Sequence, residues 1–139
     1  MLTCSIGITV YNEQANIPRL LEALLNQELG SVTINEIIVI ASGCTDNTEQ
    51  VVQRFTGRDR KVRLLGQKER FGKASAVNLF LQQATEDLLI LSSADIIPAD
   101  NVIEKLLKPL SDPEVGMSGV RQVPVNEPGT FMGFAVHMQ

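Results

Sequence analysis

The sequence predicts an α/β fold, a mostly parallel sheet flanked by helices. Three observations predict it. Short β-branched runs alternate with amphipathic stretches in the order β-α-β-α-β-α-β-α-β. The central runs are apolar throughout, as strands covered on both faces are. At 139 residues and 44% hydrophobic, the chain suits one domain with a full core.

Ser5–Val10 alternates and is rich in β-branched residues, which suits a buried strand. A polar break, Tyr11-Asn12-Glu13, follows it. Asn16 is a suitable N-cap, and Pro18 falls in the first helical turn, where its missing N–H costs nothing. Ile17, Leu20, Leu21, Leu24 and Leu25 form one helical face, which Gly30-Ser31 is expected to end.

Ile37–Ile40 is the second strand. Asp46, with Glu49 three residues on, has the spacing of a capping box for a helix that buries Val51, Val52 and Phe55. Val62–Leu65 is a short third strand. A helix from Lys73 to Ala84 is expected to turn Val77, Phe80, Leu81 and Ala84 inward. Leu88–Leu91 is the fourth strand. Val102, Ile103, Leu106, Leu107 and Leu110 mark a fourth helix, and 116–123 a fifth strand. Thr130–Gln139 is apolar with a helical reading open, and it stops without a cap or partner. The expectation is a single domain over 1–139 cut from a longer chain.

The net charge of −4 gives no general attraction for nucleic acid or an anionic membrane. Eight of the twelve basic residues nevertheless lie between Arg54 and Lys73, as a solvated surface or a landing zone for phosphate or acidic lipid. Cys4 and Cys44 are too few for a disulfide scaffold and read as reduced thiols, which points to the cytoplasm. No apolar run has the length of a membrane span.

In parallel α/β sheets ligands bind beyond the carboxyl ends of the strands, where strand order switches. The segments to watch are therefore 11–13, 41–46, 66–73 and 92–98. Gly72-Lys73 invites a P-loop reading, but that motif needs glycine at 67 and Ser or Thr at 74, where Gln67 and Ala74 stand. No G-x-G-x-x-G follows the first strand. His137 is the only histidine, which disfavours Ser-His-Asp hydrolysis and histidine-rich metal sites.

What remains suits a diphosphate. Its leaving oxygen gathers negative charge that a divalent cation or positioned donors must stabilise. Mg²⁺ and Mn²⁺ take oxygen ligands and often only one or two protein carboxylates beside substrate phosphates. Asp95, just past the fourth strand, is suitably placed for either ion. Lys73, after a glycine at a helix start, reads as an anion contact or an ordinary surface lysine.

The run Ser5–Glu13 resembles the opening strand of inverting family 2 glycosyltransferases. Ile37–Thr48 resembles their second strand and Gly-Ser-Thr-Asp turn, and Phe71–Asn78 their Gly-Lys-x-x-Ala-x-Asn helix start. Ser93-Ala94-Asp95-Ile96-Ile97-Pro98 falls at their Asp-x-Asp metal element. Four motifs in the right order make the match specific, and it covers nearly the whole chain.

The resemblance implies the GT-A, nucleotide-diphospho-sugar transferase fold and transfer from a nucleoside diphosphate sugar to a saccharide or lipid acceptor. It implies that Tyr11, Asn12, Glu13, Ser42, Lys73, Ser93, Ala94 and Asp95 bind the donor. Asp95 would hold Mg²⁺ or Mn²⁺ with the diphosphate oxygens, Ser93 would bond the ribose, and Lys73 would approach the base or the diphosphate.

This chain departs from the family pattern at three places. Ala41-Ser42 replaces paired aspartates, and Ser93 replaces the first aspartate of the metal element. The chain has no Trp, so no Gln-x-x-Arg-Trp element, and no residue is assigned as catalytic base. The fragment alone is expected to be inactive, with any membrane association supplied by the part beyond it. The first two departures motivate an alternative, a non-catalytic nucleotide- or partner-binding module on the same fold. A receiver-type signalling domain fits only loosely, through Glu13 and Asp95.

Overall fold

The computed structural model describes residues 2–68, 72–111, 117–119 and 133–137. The elements run β1 (Leu2–Val10), α1 (Ile17–Leu25), β2 (Val32–Ser42), α2 (Thr48–Arg58), β3 (Val62–Gln67), α3 (Lys73–Gln83) and β4 (Leu88–Ser93). Then come α4 (Val102–Leu107), a 3₁₀ turn (Lys108–Ser111), β5 (Met117–Gly119) and β6 (Gly133–His137).

The sheet order is β3-β2-β1-β4-β6-β5. The first four strands are mutually parallel, whereas β6 runs antiparallel to both β4 and β5. The helical reading of the tail is thus corrected over 133–137. Gly-Phe-Ala-Val-His is short enough to read either way, and pairing with β4 from Leu88↔His137 to Ser92↔Gly133 decides it. Of the fifth strand expected over 116–123, only 117–119 lies within the described residues, and it is a strand.

Two apolar layers cover the sheet unevenly. Side chains alternate along β2, so Ile37 and Val39 join the main core with residues of β1, α1, α2 and α4. Ile38 and Ile40 face the other way, onto Ala76 and Phe80 of α3 and Leu89 of β4. Because β3 and β4 are separated by β2 and β1, α3 crosses back over those two strands and packs on both. That crossing brings its N-terminus to the carboxyl ends of the strands. The buried residues of α3 are Ala76 and Phe80, one turn apart, and Leu81 is 40% exposed rather than inward-facing.

Several boundaries differ from the sequence reading for reasons outside the local pattern. Helix α1 ends at Leu25, short of Gly30, because the following segment bonds to the entry of α4. Gln27 Nε2 donates to the Ala99 carbonyl (2.7 Å), Gln27 Oε1 accepts from Ile103 N (3.1 Å), and Glu28 N donates to the Asp100 carbonyl (2.7 Å). Asn16 makes no side-chain cap bond, since its Nδ2 donates instead to Glu13 Oε2 at 2.9 Å. Glu49 lies in the first turn of α2, where Asn47 holds the cap position without a side-chain cap bond. Asp46 serves that turn instead, its Oδ1 accepting from Thr48 N at 2.9 Å.

Candidate functional site

With strand order 3-2-1-4, the topology switches between β1 and β4, and a cleft of about 340 Å³ opens beyond the carboxyl ends of the strands. That volume lies within the range of small-ligand sites. Thr9, Val10, Tyr11 and Glu13 line it from the outlet of β1, and Ser42 from the outlet of β2. Gly72, Lys73 and Ala76 contribute from the start of α3, and Ser93, Ala94 and Asp95 from the outlet of β4. Seven of the eight residues singled out in the sequence thus share one hollow. Asn12 does not line it.

Asn12 instead holds two loops together. Its φ of 52° lies in the left-handed region that asparagine tolerates better than most residues. There its Oδ1 accepts from Thr45 N at 2.8 Å and Asp46 N at 3.3 Å, while Nδ2 donates to Thr45 Oγ1 at 3.1 Å. The lacing continues with Glu13 N donating to Thr48 Oγ1 (2.9 Å) and Asn47 N donating to Gln14 Oε1 (3.0 Å). The loop carrying Tyr11 and Glu13 is therefore fixed to the loop after β2. Burial would raise the Asp46 carboxyl, but donors from the Thr48 hydroxyl and N–H and from Gln14 N hold it below the usual carboxylate range. It stays an ionised acceptor at the start of α2.

Sequence reasoning marked 66–73 as a segment to watch but missed the side chain in it that holds Ser42. Gln67, the last residue of β3, accepts a hydrogen bond from Ser42 Oγ on its Oε1 and donates through Nε2 to Ser75 Oγ at 3.2 Å. No local pattern marks Gln67, because its role depends on β3 lying beside β2 in the register Ser42↔Gln67.

Gly72 begins α3 at φ 92°, ψ 167°, a combination open essentially to glycine alone. A Cβ there would meet nothing within 4 Å, so an alanine pays only for backbone conformation. Gly72→Ala is expected to cost about 1–3 kcal/mol in a denaturant melt. Relaxation of that strain would also displace Lys73 from the cleft.

The donor chemistry can be tested against a divalent cation. Asp95 is exposed at the cleft with the Ser93 hydroxyl beside it in sequence. Among the described residues, no group of three or more His, Cys, Asp or Glu side chains is arranged to hold a metal alone. One carboxylate with the remaining oxygens supplied by phosphates and water fits Mg²⁺ or Mn²⁺. It does not fit a closed tetrahedral zinc site. Both cysteines are free. Burial, with a smaller contribution from the charge of Glu86, pushes the Cys4 thiol up to about 12, and burial also raises Cys44. Neither is activated as a nucleophile.

Residues 5–137 match the family model described as glycosyl transferase family 2. A glycosyltransferase, GlyG, of Streptococcus pneumoniae is 28% identical over 108 residues, covering 78% of this chain and 35% of that protein. A mouse dolichyl-phosphate β-glucosyltransferase is 28% identical over 116 residues, covering 78% and 36%. The solved mannosyltransferase PcManGT from Pyrobaculum calidifontis, in complex with GDP-Man and Mn²⁺, superposes with a TM-score of 0.78 at 28% identity. It covers 87% of this chain and 36% of its own. The chain therefore spans about a third of the length of these relatives and has the GT-A fold. Among the described residues, no helix is long and apolar enough to cross a membrane.

Proposed function

The chain belongs to glycosyl transferase family 2, and from that premise we propose that it is the donor-binding domain of an enzyme that moves a sugar, with inversion, from a nucleoside diphosphate to a saccharide or lipid acceptor. One observation carries the reading: side chains from the outlets of β1, β2 and β4 and from the start of α3 line one cleft at the switch point. Tyr11 and Glu13 are assigned to the nucleoside, Ser42 to the base and Ser93 to the ribose. Lys73 is assigned to the base or the diphosphate.

Asp95 is the carboxylate that would hold Mg²⁺ or Mn²⁺ against the diphosphate oxygens. When bound, the ion neutralises charge that develops on the leaving diphosphate. The chain's own contribution is placement. Asn12 and Asp46 keep the loop bearing Glu13 rigid, and Gly72 lets α3 start beside the cleft. The PcManGT structure holds GDP-Man and Mn²⁺, which supports this donor class.

Acceptor recognition and the catalytic base are assigned to sequence outside this span, so the chain alone is expected to bind donor without transferring it. The mouse relative, named for dolichyl phosphate, supports a lipid-linked acceptor among the candidates. The two free cysteines support a reducing, cytoplasmic setting for the reaction, with any membrane attachment assigned to the rest of the protein.

Calorimetry of nucleoside diphosphates with and without Mn²⁺ tests the site. The natural chain is expected to bind one of them more tightly with the ion, and Asp95→Ala to weaken that binding by about 10- to 100-fold, the effect of losing one charge-assisted contact. Absence of nucleotide binding, or binding indifferent to the substitution, would remove the proposal. Ser93 and Ala41-Ser42, where the family carries aspartates, favour a second reading, a binding module without catalysis. Vigorous transfer by the full-length natural protein would eliminate it.

A further inference from the structure

Ser42, in the lining of the cleft, is held by a hydrogen-bonded chain of three residues that spans two strands and a helix. Ser42 ends β2, Gln67 ends β3, and Ser75 lies in the first turn of α3. Ser42 is 5% exposed and lines the cleft. Its hydroxyl donates to Gln67 Oε1, and Gln67 Nε2 donates onward to Ser75 Oγ at 3.2 Å. The Gln67 main chain adds a third tie, its carbonyl accepting from Gly43 N at 2.9 Å. Gln67 is therefore fixed at both its backbone and its amide.

A serine hydroxyl has one proton and two lone pairs. With the proton committed to Gln67, Ser42 can offer a ligand in the cleft only an acceptor. Ala41 beside it adds no carboxylate. A buried acceptor left unpaired is costly, so such a site discriminates by what the ligand's edge donates.

We propose that Gln67 is a specificity-determining positioning residue: by taking the Ser42 proton, it makes the base end of the cleft accept rings that present an N–H there, and reject rings that present a bare nitrogen. Uracil and guanine present a ring N–H on the pairing edge, whereas cytosine and adenine present an unprotonated ring nitrogen. The inference rests on the reading of the cleft as a nucleotide site. It goes beyond that reading by naming the class of base and the residue that sets it.

The test is calorimetry of the chain with UDP, GDP, CDP and ADP at fixed Mn²⁺. UDP or GDP is expected to bind about 10- to 100-fold more tightly than CDP and ADP, the effect of leaving one buried acceptor unpaired. Gln67→Leu frees the Ser42 proton to turn toward the ligand, and the ratio is expected to fall to within about 3-fold even where binding survives. Gln67→Glu restores an obligate acceptor beside Ser42 and is expected to keep the natural ratio, a rescue that a merely structural role for Gln67 would not predict. A natural preference for CDP or ADP, an unchanged ratio in Gln67→Leu, or a ratio lost in Gln67→Glu would each overturn the proposal. No binding of any of the four nucleotides would instead overturn the nucleotide reading itself.

Discussion

Replacing Gly7 with alanine is expected to destabilise the chain by about 3 kcal/mol or more, the upper range of overpacking costs in a dense core. Gly7 is buried in the middle of β1, with Phe80 of α3 directly over it. An added Cβ would lie 2.5–2.7 Å from three carbons of the Phe80 ring, closer than side-chain atoms approach. The ring cannot swing aside cheaply. Phe80 is fully buried among Ile38, Ile40, Ala76 and Leu89, so relief requires α3 to lift from the sheet. Lys73 and Ala76 line the cleft from that helix, so nucleotide affinity is expected to fall with stability. Gly57→Ala is the internal control. It lies in α2 with nothing within 4 Å of its added Cβ, and about 0.5–1 kcal/mol of stabilisation is expected from helix propensity. Urea melts of both variants make the measurement. Phe80→Leu should recover part of the Gly7→Ala loss, and strict additivity of the two substitutions would show that the ring is not the obstacle.

Such close approaches are beyond what a one-dimensional pattern carries, and the same limit explains what was legible here. The helical faces of α1 and α2, the apolar run of β2 and the position of Asp95 all follow from local periodicity and from the rule for parallel sheets. The first half of β2 did not show, because Asn35-Glu36 interrupts its apolar run. The strand passes through that interruption on a register shift opposite Cys4/Ser5, which turns Glu36 inward while Asn35 stays exposed. Asn12 was visible as a candidate but not in its actual contacts, since its amide partners at Thr45 and Asp46 are more than thirty residues away. Gln67 fell inside the segment 66–73, but its tie to Ser42 and Ser75 did not show, since those partners come from other elements. The mouth of the cleft was readable from motif order, whereas the hydrogen bonds that stiffen it join segments that only the fold brings together.

Glu36 carries the other large effect, at the amino end of the strands away from the cleft. It is 5% exposed and surrounded by donors. Ser5 Oγ donates to its Oε2 at 2.6 Å, as do Thr85 N at 2.7 Å and Thr85 Oγ1 at 2.8 Å. Arg63 Nη1 reaches its Oε1 at 2.8 Å, and Glu86 N in turn donates to Ser5 Oγ at 3.2 Å. One carboxylate thus joins β1, β2, β3 and the turn into β4. Glu36→Ala would leave the Ser5 hydroxyl and the Thr85 N–H without their acceptor, and a loss of about 3–5 kcal/mol is expected, as for other broken buried pairs. Burial alone would raise the carboxyl, but the bonds from Ser5, Thr85 and Arg63 outweigh it and hold Glu36 below its ordinary value of 4.5. A carboxyl depressed in the folded state stabilises fully above its unfolded value, and that stabilisation drains away as pH falls through the folded one. The gap in stability between the natural chain and Glu36→Gln should therefore be widest near about pH 7 and narrow steadily below about pH 4.5. Guanidinium melts of both proteins across that range read it directly. A gap that stayed constant with pH would mean that the charge of Glu36 contributes nothing to holding the four segments together.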